Sequence, residues 1–131
     1  MNNVYVTDTQ AIIHYMEDRK PISKKIRDIF QESDEAKATI YIPAIVLMEI
    51  MYLFEKKRIK TNISALKNII HGSINYVEQE LNIDIIEQAI EIDDIPELHD
   101  RLIAATAKFL DLPLLTNDPV ILKSRHCKTI C

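Results

Sequence analysis

Three aspartates lie where apolar segments begin or end, which are positions that favour functional carboxylates. Asp8 follows the β-rich run at residues 4–6 and precedes the helical pattern TQAIIHYM. Asp118 follows the apolar run at residues 114–116, and Asp100 begins the helical segment DRLIAATAKFL. Aspartate is also among the best helix N-caps, so each residue has a purely structural explanation when it is considered alone.

A fourth carboxylate, Glu49, lies in the middle of the segment AIVLMEIMYLF. The segment is apolar all the way round, which predicts a helix buried on most of its faces. An ionised side chain is rarely buried unless it is paired or bound to a metal. Glu49 therefore reaches the edge of the helix, pairs with a Lys or Arg, or faces a polar cavity. We favour the cavity.

Strand-like and helix-like segments alternate along the chain. The strand-like runs are rich in aliphatic or β-branched residues and lie at 4–6, 39–42, 74–77, 114–115 and 128–130. Such an alternation favours parallel strands joined by right-handed helical crossovers. We predict a single domain spanning residues 1–131, folded as a three-layer α/β/α sandwich with a mostly parallel central sheet.

All four acids are expected at the edge where parallel strands end, the usual ligand-binding edge of α/β sheets. Two carboxylates about 5 Å apart repel by roughly 3 kcal/mol at an effective dielectric near 20. Several such pairs would rival the stability of a whole domain, about 5–15 kcal/mol, unless protons or a divalent cation neutralise them. An all-oxygen ligand set suits Mg²⁺ or Mn²⁺. Such ions support hydrolysis of a phosphodiester, which is the reaction we infer.

The overall charge does not indicate a protein held to nucleic acid by bulk positive charge. The chain has 131 residues and a formal net charge of -4, so any contact with nucleic acid must be local. The exposed-looking cations Lys56, Lys57 and Arg58 either complement a helix C-terminus or form a phosphate-binding rim. A lone histidine such as His99 is expected on the surface or in the core rather than in a catalytic role.

The cysteines and the hydropathy pattern indicate the compartment. Cys127 and Cys131 are the only cysteines. A disulfide between two residues so close in sequence would stabilise the domain little, which favours a reducing cytosol. No apolar run reaches the roughly 20 residues that span a bilayer. We therefore expect a soluble cytoplasmic protein without a membrane partner.

Four motifs resemble those of a known family when they are taken in order. They are VYVTDTQAI, IPAIVLMEI, HDRLIAATA and LLTND. Together they resemble the PIN-domain nucleases and, within them, the VapC-type toxins of toxin–antitoxin pairs. The resemblance places the acidic site residues at Asp8, Glu49, Asp100 and Asp118, and it places supporting hydroxyls at Thr9 and Thr116.

The same resemblance implies an activity and partners. It implies cleavage of single-stranded RNA that depends on Mg²⁺ or Mn²⁺, a homodimer, and inhibition by a cognate antitoxin protein. PIN domains also serve RNA processing without an antitoxin, and this alternative stays open. The Ile-rich and acidic region at residues 83–94 departs from the family pattern and leaves substrate contacts there undefined.

Two functions outside the nuclease class remain as alternatives. A receiver-like phosphoacceptor domain also uses clustered acids and Mg²⁺, but it needs a second acid beside Asp8 and a Lys after the last strand. The sequence has Asn117 and Asp118 after residue 116 instead. A non-catalytic interaction module is the other alternative, although retention of Glu49 in an apolar helix argues against it.

Overall fold

The computed structural model describes residues 3–131 and contains five strands and seven helices within them. No helix in this range combines the length and apolar character needed to cross a membrane. The strands are β1 (Val4–Thr7), β2 (Thr39–Pro43), β3 (Tyr76–Gln79), β4 (Leu114–Leu115) and β5 (Thr129–Ile130). The helices are α1 (Thr9–Met16), α2 (Lys24–Asp34), α3 (Ala44–Glu55), α4 (Ile63–Gly72), α5 (Ile83–Ile90), α6 (Leu98–Leu110) and α7 (Pro119–Leu122).

The sheet has the strand order β3-β2-β1-β4-β5, and every pairing is parallel. The chain builds outward from β1 to β3 and then returns to add β4 on the other side of β1. This reversal lies between β1 and β4, and open α/β sheets bind ligands at such a switch point, outside the carboxyl ends of the strands. Thr7 pairs with Leu115, so the segments that follow the two strands leave the sheet side by side.

The core explains why the central strands are rich in aliphatic residues. Val6, Ile40, Ile42, Leu114 and Leu115 are fully buried, as expected for strands covered by helices on both faces. Three alanines of α6 are also fully buried: Ala104, Ala105 and Ala107. Their small side chains let the helix axis lie close to its neighbours. The predicted three-layer α/β/α fold is confirmed, and its sheet is entirely parallel.

The boundaries of β3 and α6 differ from the sequence-based prediction by two residues. β3 occupies Tyr76–Gln79 instead of residues 74–77, and Ile74 is 87% exposed. α6 begins at Leu98 because the Glu97 carboxylate accepts hydrogen bonds from the amides of the second and third helix residues, at 2.8 and 3.2 Å. Asp100 is therefore the third residue of the helix and not its cap.

The prediction that α3 is buried on most faces is wrong. Only one stripe of the helix is buried, formed by Ile45, Val46 and Ile50. The remaining apolar side chains include four that are 42–52% exposed: Met48, Met51, Tyr52 and Phe54. An apolar helix pattern does not distinguish a face covered by the same chain from a face left open at the surface.

Candidate active site

A cavity of about 850 Å³ lies beyond the carboxyl ends of β1 and β4, between α1, α3 and α6. Its lining includes all four acids singled out from the sequence: Asp8, Glu49, Asp100 and Asp118. Residues more than 100 positions apart in the chain meet here because β4 pairs directly with β1. The four side chains line one cavity at one edge of the sheet, as the sequence predicted, while their roles in catalysis and metal binding stay a prediction.

Asp8 acts as an N-cap and also lines the cavity. It follows β1, and its Oδ1 accepts a hydrogen bond of 2.8 Å from the Ala11 amide at the start of α1. The side chain is nearly buried, with 6% of the residue exposed. The capping and functional roles are compatible because the cap uses only one carboxylate oxygen.

Asp118 follows β4, and it likewise caps a helix and lines the cavity. Its Oδ1 accepts hydrogen bonds from the Val120 and Ile121 amides at 2.9 and 3.1 Å, which caps α7. Its own amide donates to the hydroxyl of Thr116 at 3.0 Å. Thr116 is fully buried, and its side chain favours the charged form of Asp8, which lowers the pKa of that carboxyl. The Thr116 hydroxyl therefore acts on both aspartates, through the Asp118 amide and through the Asp8 carboxyl.

Glu49 is held by a hydroxyl and has no Lys or Arg partner within residues 3–131. The Thr9 hydroxyl donates to Glu49 Oε1, and the Glu49 side chain is 24% exposed. Among residues 3–131, no Lys or Arg nitrogen lies within 4 Å of this carboxylate, and the neighbour found is the His99 ring. The ion pair considered as a structural explanation for Glu49 is absent from the described chain.

The charge of the cavity is predominantly negative. Its described lining contains four carboxylates and no Lys or Arg. Burial raises the pKa of Asp8 to about 6, against hydrogen bonds from Thr116 and Ala11 that lower it, and Asp118 and Glu49 raise it further. Burial and then the charge of Asp118 raise the pKa of Asp100 to about 6 as well. This crowding of carboxylates fits a hard divalent cation, because every acidic donor is an oxygen.

A close group of possible ligand atoms at the edge of this cavity includes His99, which the sequence analysis did not expect in a catalytic role. Glu49, Glu97 and His99 each offer one atom, and these three atoms lie within 4.8 Å of one another. Both Glu97 and His99 were missed as site residues. An isolated His–Asp pair in the sequence carries no signal that the histidine ring turns towards a glutamate fifty positions earlier.

The predicted RNA-contacting cations are not among the residues that line the cavity. Lys56, Lys57 and Arg58 follow the C-terminal end of α3, and all three are exposed. Lys56 lies over the Tyr52 ring, 5.4 Å from its centroid. Seven residues separate Lys56 from Glu49, roughly 10 Å along a helix axis. Their contact with RNA stays a prediction.

The raised pKa of Asp8 predicts how stability depends on pH when no divalent metal is present. The folded chain keeps the Asp8 proton up to about pH 6, whereas the unfolded chain loses it near pH 4. Stability contributed by this group is therefore present at low pH and is lost as the pH rises from about 4 to about 6. Asp8→Asn keeps an oxygen to cap α1 and removes the charge, so it should raise the free energy of unfolding at pH 7 by on the order of 2–3 kcal/mol.

Urea unfolding in chelator at pH 4 and pH 7 measures this difference. The matched control is Glu87→Gln, which removes an exposed carboxylate of α5 and should change stability by no more than about 0.5 kcal/mol. Equal or lower stability of Asp8→Asn at pH 7 would show that the buried charge is already compensated.

Comparison with known proteins identifies the family. The sequence matches the model of the PIN domain over residues 5–124. No curated protein matches the chain significantly. Among solved structures, the fold is similar to VapBC2 from Rickettsia felis bound to a DNA fragment from their promoter, with a TM-score of 0.72, 18% identity and 97% of both chains covered.

Two further structures have the same fold. A toxin–antitoxin complex from Klebsiella pneumoniae matches with a TM-score of 0.68 and 18% identity, covering 97% of this chain and 96% of the other. DNA-bound VapBC from Salmonella typhimurium matches with a TM-score of 0.67 and 14% identity, covering 99% and 98%. Identities this low establish the fold alone. Because the family model spans most of the sequence, the chain belongs to the PIN domain family.

Proposed function

We propose that this chain is a divalent-metal-dependent endoribonuclease and the toxin of a VapC-type toxin–antitoxin pair. The observation that carries the proposal is the cavity of a PIN domain in which four carboxylates meet without Lys or Arg in the described lining. RNA phosphates are anionic, so such a cavity repels its substrate unless cations lie between them. The charge pattern thus favours metal-assisted phosphodiester hydrolysis.

Asp8, Glu49, Asp100 and Asp118 are the residues proposed to hold Mg²⁺ or Mn²⁺ and to act in catalysis. When bound, the ion supplies charge neutralisation at the phosphate and an activated water. The chain's own contribution is to fix the carboxylates: helix amides hold one oxygen of Asp8 and one of Asp118. The Thr9 and Thr116 hydroxyls then orient Glu49 and the aspartate pair.

Cleavage of labelled single-stranded RNA tests the proposed reaction. Wild-type protein should cleave it with Mg²⁺ or Mn²⁺ and not in chelator, and Asp8→Asn should reduce the rate by on the order of 100-fold or more. Thr116→Val preserves the side-chain shape but removes the hydroxyl between Asp8 and Asp118. It should lower the rate by roughly tenfold.

Glu87→Gln, outside the cavity, should leave this rate unchanged. Full activity of Asp8→Asn in chelator would rule out metal-dependent hydrolysis by this site. Duplex RNA and single-stranded DNA in parallel reactions define the substrate class, and preference for DNA would contradict the ribonuclease proposal.

A cognate antitoxin is the proposed protein partner. The similar structures include a toxin–antitoxin complex and two VapBC complexes. On one side of the acids, the cavity has an apolar wall that includes Ile22, Ile26, Met48 and Met51. A segment with apolar side chains and a basic residue would complement both the wall and the carboxylates.

Growth of cells expressing the chain tests this partnership. Expression should arrest growth, and co-expression of the product of a small adjacent reading frame should relieve the arrest. Met51→Ala removes apolar surface from the partly exposed wall without adding charge to the cavity, so it should keep RNA cleavage and weaken relief by the partner. Arrest that no adjacent product relieves would favour an RNA-processing PIN nuclease without an antitoxin.

A homodimer is the proposed oligomeric state, and α5 offers a surface for it. Ile83, Ile86 and Ile90 are 79%, 47% and 78% exposed and share a helix face through their spacing of three and four residues. Burial of this stripe by a second copy would remove apolar surface from water. The proposed site of action is the cytoplasm, in keeping with the free thiols of Cys127 and Cys131.

Sedimentation equilibrium measures the association. Ile90→Lys should shift the chain to monomer, whereas Ile74→Lys should not, because Ile74 is an equally exposed isoleucine outside the α5 stripe. A wild-type monomer, or a dimer unaffected by Ile90→Lys, would contradict this interface.

A further inference from the structure

We propose that His99, Glu49 and Glu97 form a second metal position with mixed nitrogen and oxygen donors, beside the four-carboxylate site. His99 Nδ1 lies 3.8 Å from Glu49 Oε2 and 3.6 Å from Glu97 Oε1. Both separations are too long for a hydrogen bond. Ligand atoms about 2.1 Å from a common ion are roughly 3.0–3.4 Å apart. The three donor atoms lie within 4.8 Å of one another, so closure around an ion needs the imidazole to approach each carboxylate by less than about 1 Å and the two carboxylates to approach each other by no more than about 2 Å.

The two carboxylates are oriented by the fold without the ion. Glu97 accepts from the His99 and Asp100 amides at the start of α6, and these bonds fix its carboxylate beside the imidazole. The Thr9 hydroxyl occupies Glu49 Oε1, while the other oxygen, Oε2, is the one nearest His99. Each of the two carboxylates is therefore held by neutral amide or hydroxyl donors. These donors do not take the place of a metal ion, as a Lys or Arg side chain would.

A second group of possible ligands, Asp93, Asp94 and His126, differs in the state of its histidine. His126 Nε2 and Asp93 Oδ1 form a direct hydrogen bond of 2.9 Å, whereas the His99 nitrogen is too far from both of its carboxylates for such a bond. Asp94 accepts hydrogen bonds from the Ser124 hydroxyl at 2.8 Å and from the Arg125 amide at 2.9 Å. These contacts join two loops, and we assign no ion to them.

The donor set defines the class of ion. Imidazole nitrogen favours transition metals, whereas Mg²⁺ prefers oxygen ligands. The position should therefore bind Mn²⁺ in preference to Mg²⁺. Glu49 belongs to both ligand sets, so this position adjoins the site of the proposed nuclease reaction, and in that respect the inference rests on the proposed function.

Mn²⁺ binding to the RNA-free protein tests the inference without measuring activity. Pulsed electron paramagnetic resonance of the Mn²⁺-loaded wild type should show nitrogen coupling from an imidazole. His99→Ala should lose this coupling, bind one Mn²⁺ fewer in calorimetry, and bind Mg²⁺ unchanged. Glu97→Gln keeps an oxygen for the helix cap and should weaken this Mn²⁺ by about tenfold. The control His71→Ala, an exposed residue outside both clusters, should behave as wild type.

Three outcomes would overturn the assignment: no nitrogen coupling in the wild type, coupling that persists in folded His99→Ala, or coupling that disappears in His126→Ala. Asp8→Asn separates this inference from the proposed function, because it alters the carboxylate site and retains His99. Mg²⁺-dependent RNA cleavage without nitrogen coupling would refute the second position alone. Coupling that depends on His99, in a protein that cleaves no RNA, would refute the nuclease proposal alone.

Discussion

Asp8, Glu49, Asp100 and Asp118 face one cavity from which Lys and Arg are missing in the described lining, and their mutual repulsion must be offset. Helix N-termini offset part of it: Asp8 caps α1, Asp118 caps α7, and Asp100 lies in the first turn of α6. The positive end of a helix dipole stabilises a nearby anion. Glu49, in the middle of α3, lacks this help and depends on the Thr9 hydroxyl instead. The remaining repulsion is what a cation would relieve.

Helix capping and metal ligation are often treated as competing explanations for an aspartate that follows a strand. Here each cap occupies one carboxylate oxygen and leaves the other available for the proposed metal ligation. The helix amides hold Oδ1 of Asp8 and Oδ1 of Asp118, which fixes the direction of the second oxygen. The cap is therefore a positioning device for the site, and loss of the side chain would loosen the helix start and the cavity together.

Local patterns were sufficient to predict the parallel α/β fold and the approximate positions of the acids. Asp8 and Asp118 each follow an apolar strand, and parallel strands share their carboxyl edge. The exposed face of α3 was not predictable, since Met48 and Tyr52 have the same hydropathy whether or not another element covers them. His99 was missed for a related reason. Its ring, on α6, lies 3.8 Å from Glu49 on α3, and this proximity depends on how the two helices pack, which local sequence spacing does not encode.

The pairing of β1 with β4 has a consequence for how the protein is made. Val6 lies beside Leu114 and Thr7 beside Leu115, so the N-terminal strand has a free edge until almost the whole domain has been synthesised. Contacts between such distant segments form late, because closing a long loop costs entropy before the strands can pair. Asp8 leaves the ribosome more than 100 residues ahead of Asp118. A nascent chain thus carries half of the acidic cluster without the rest, and the cavity is completed only once translation has passed β4.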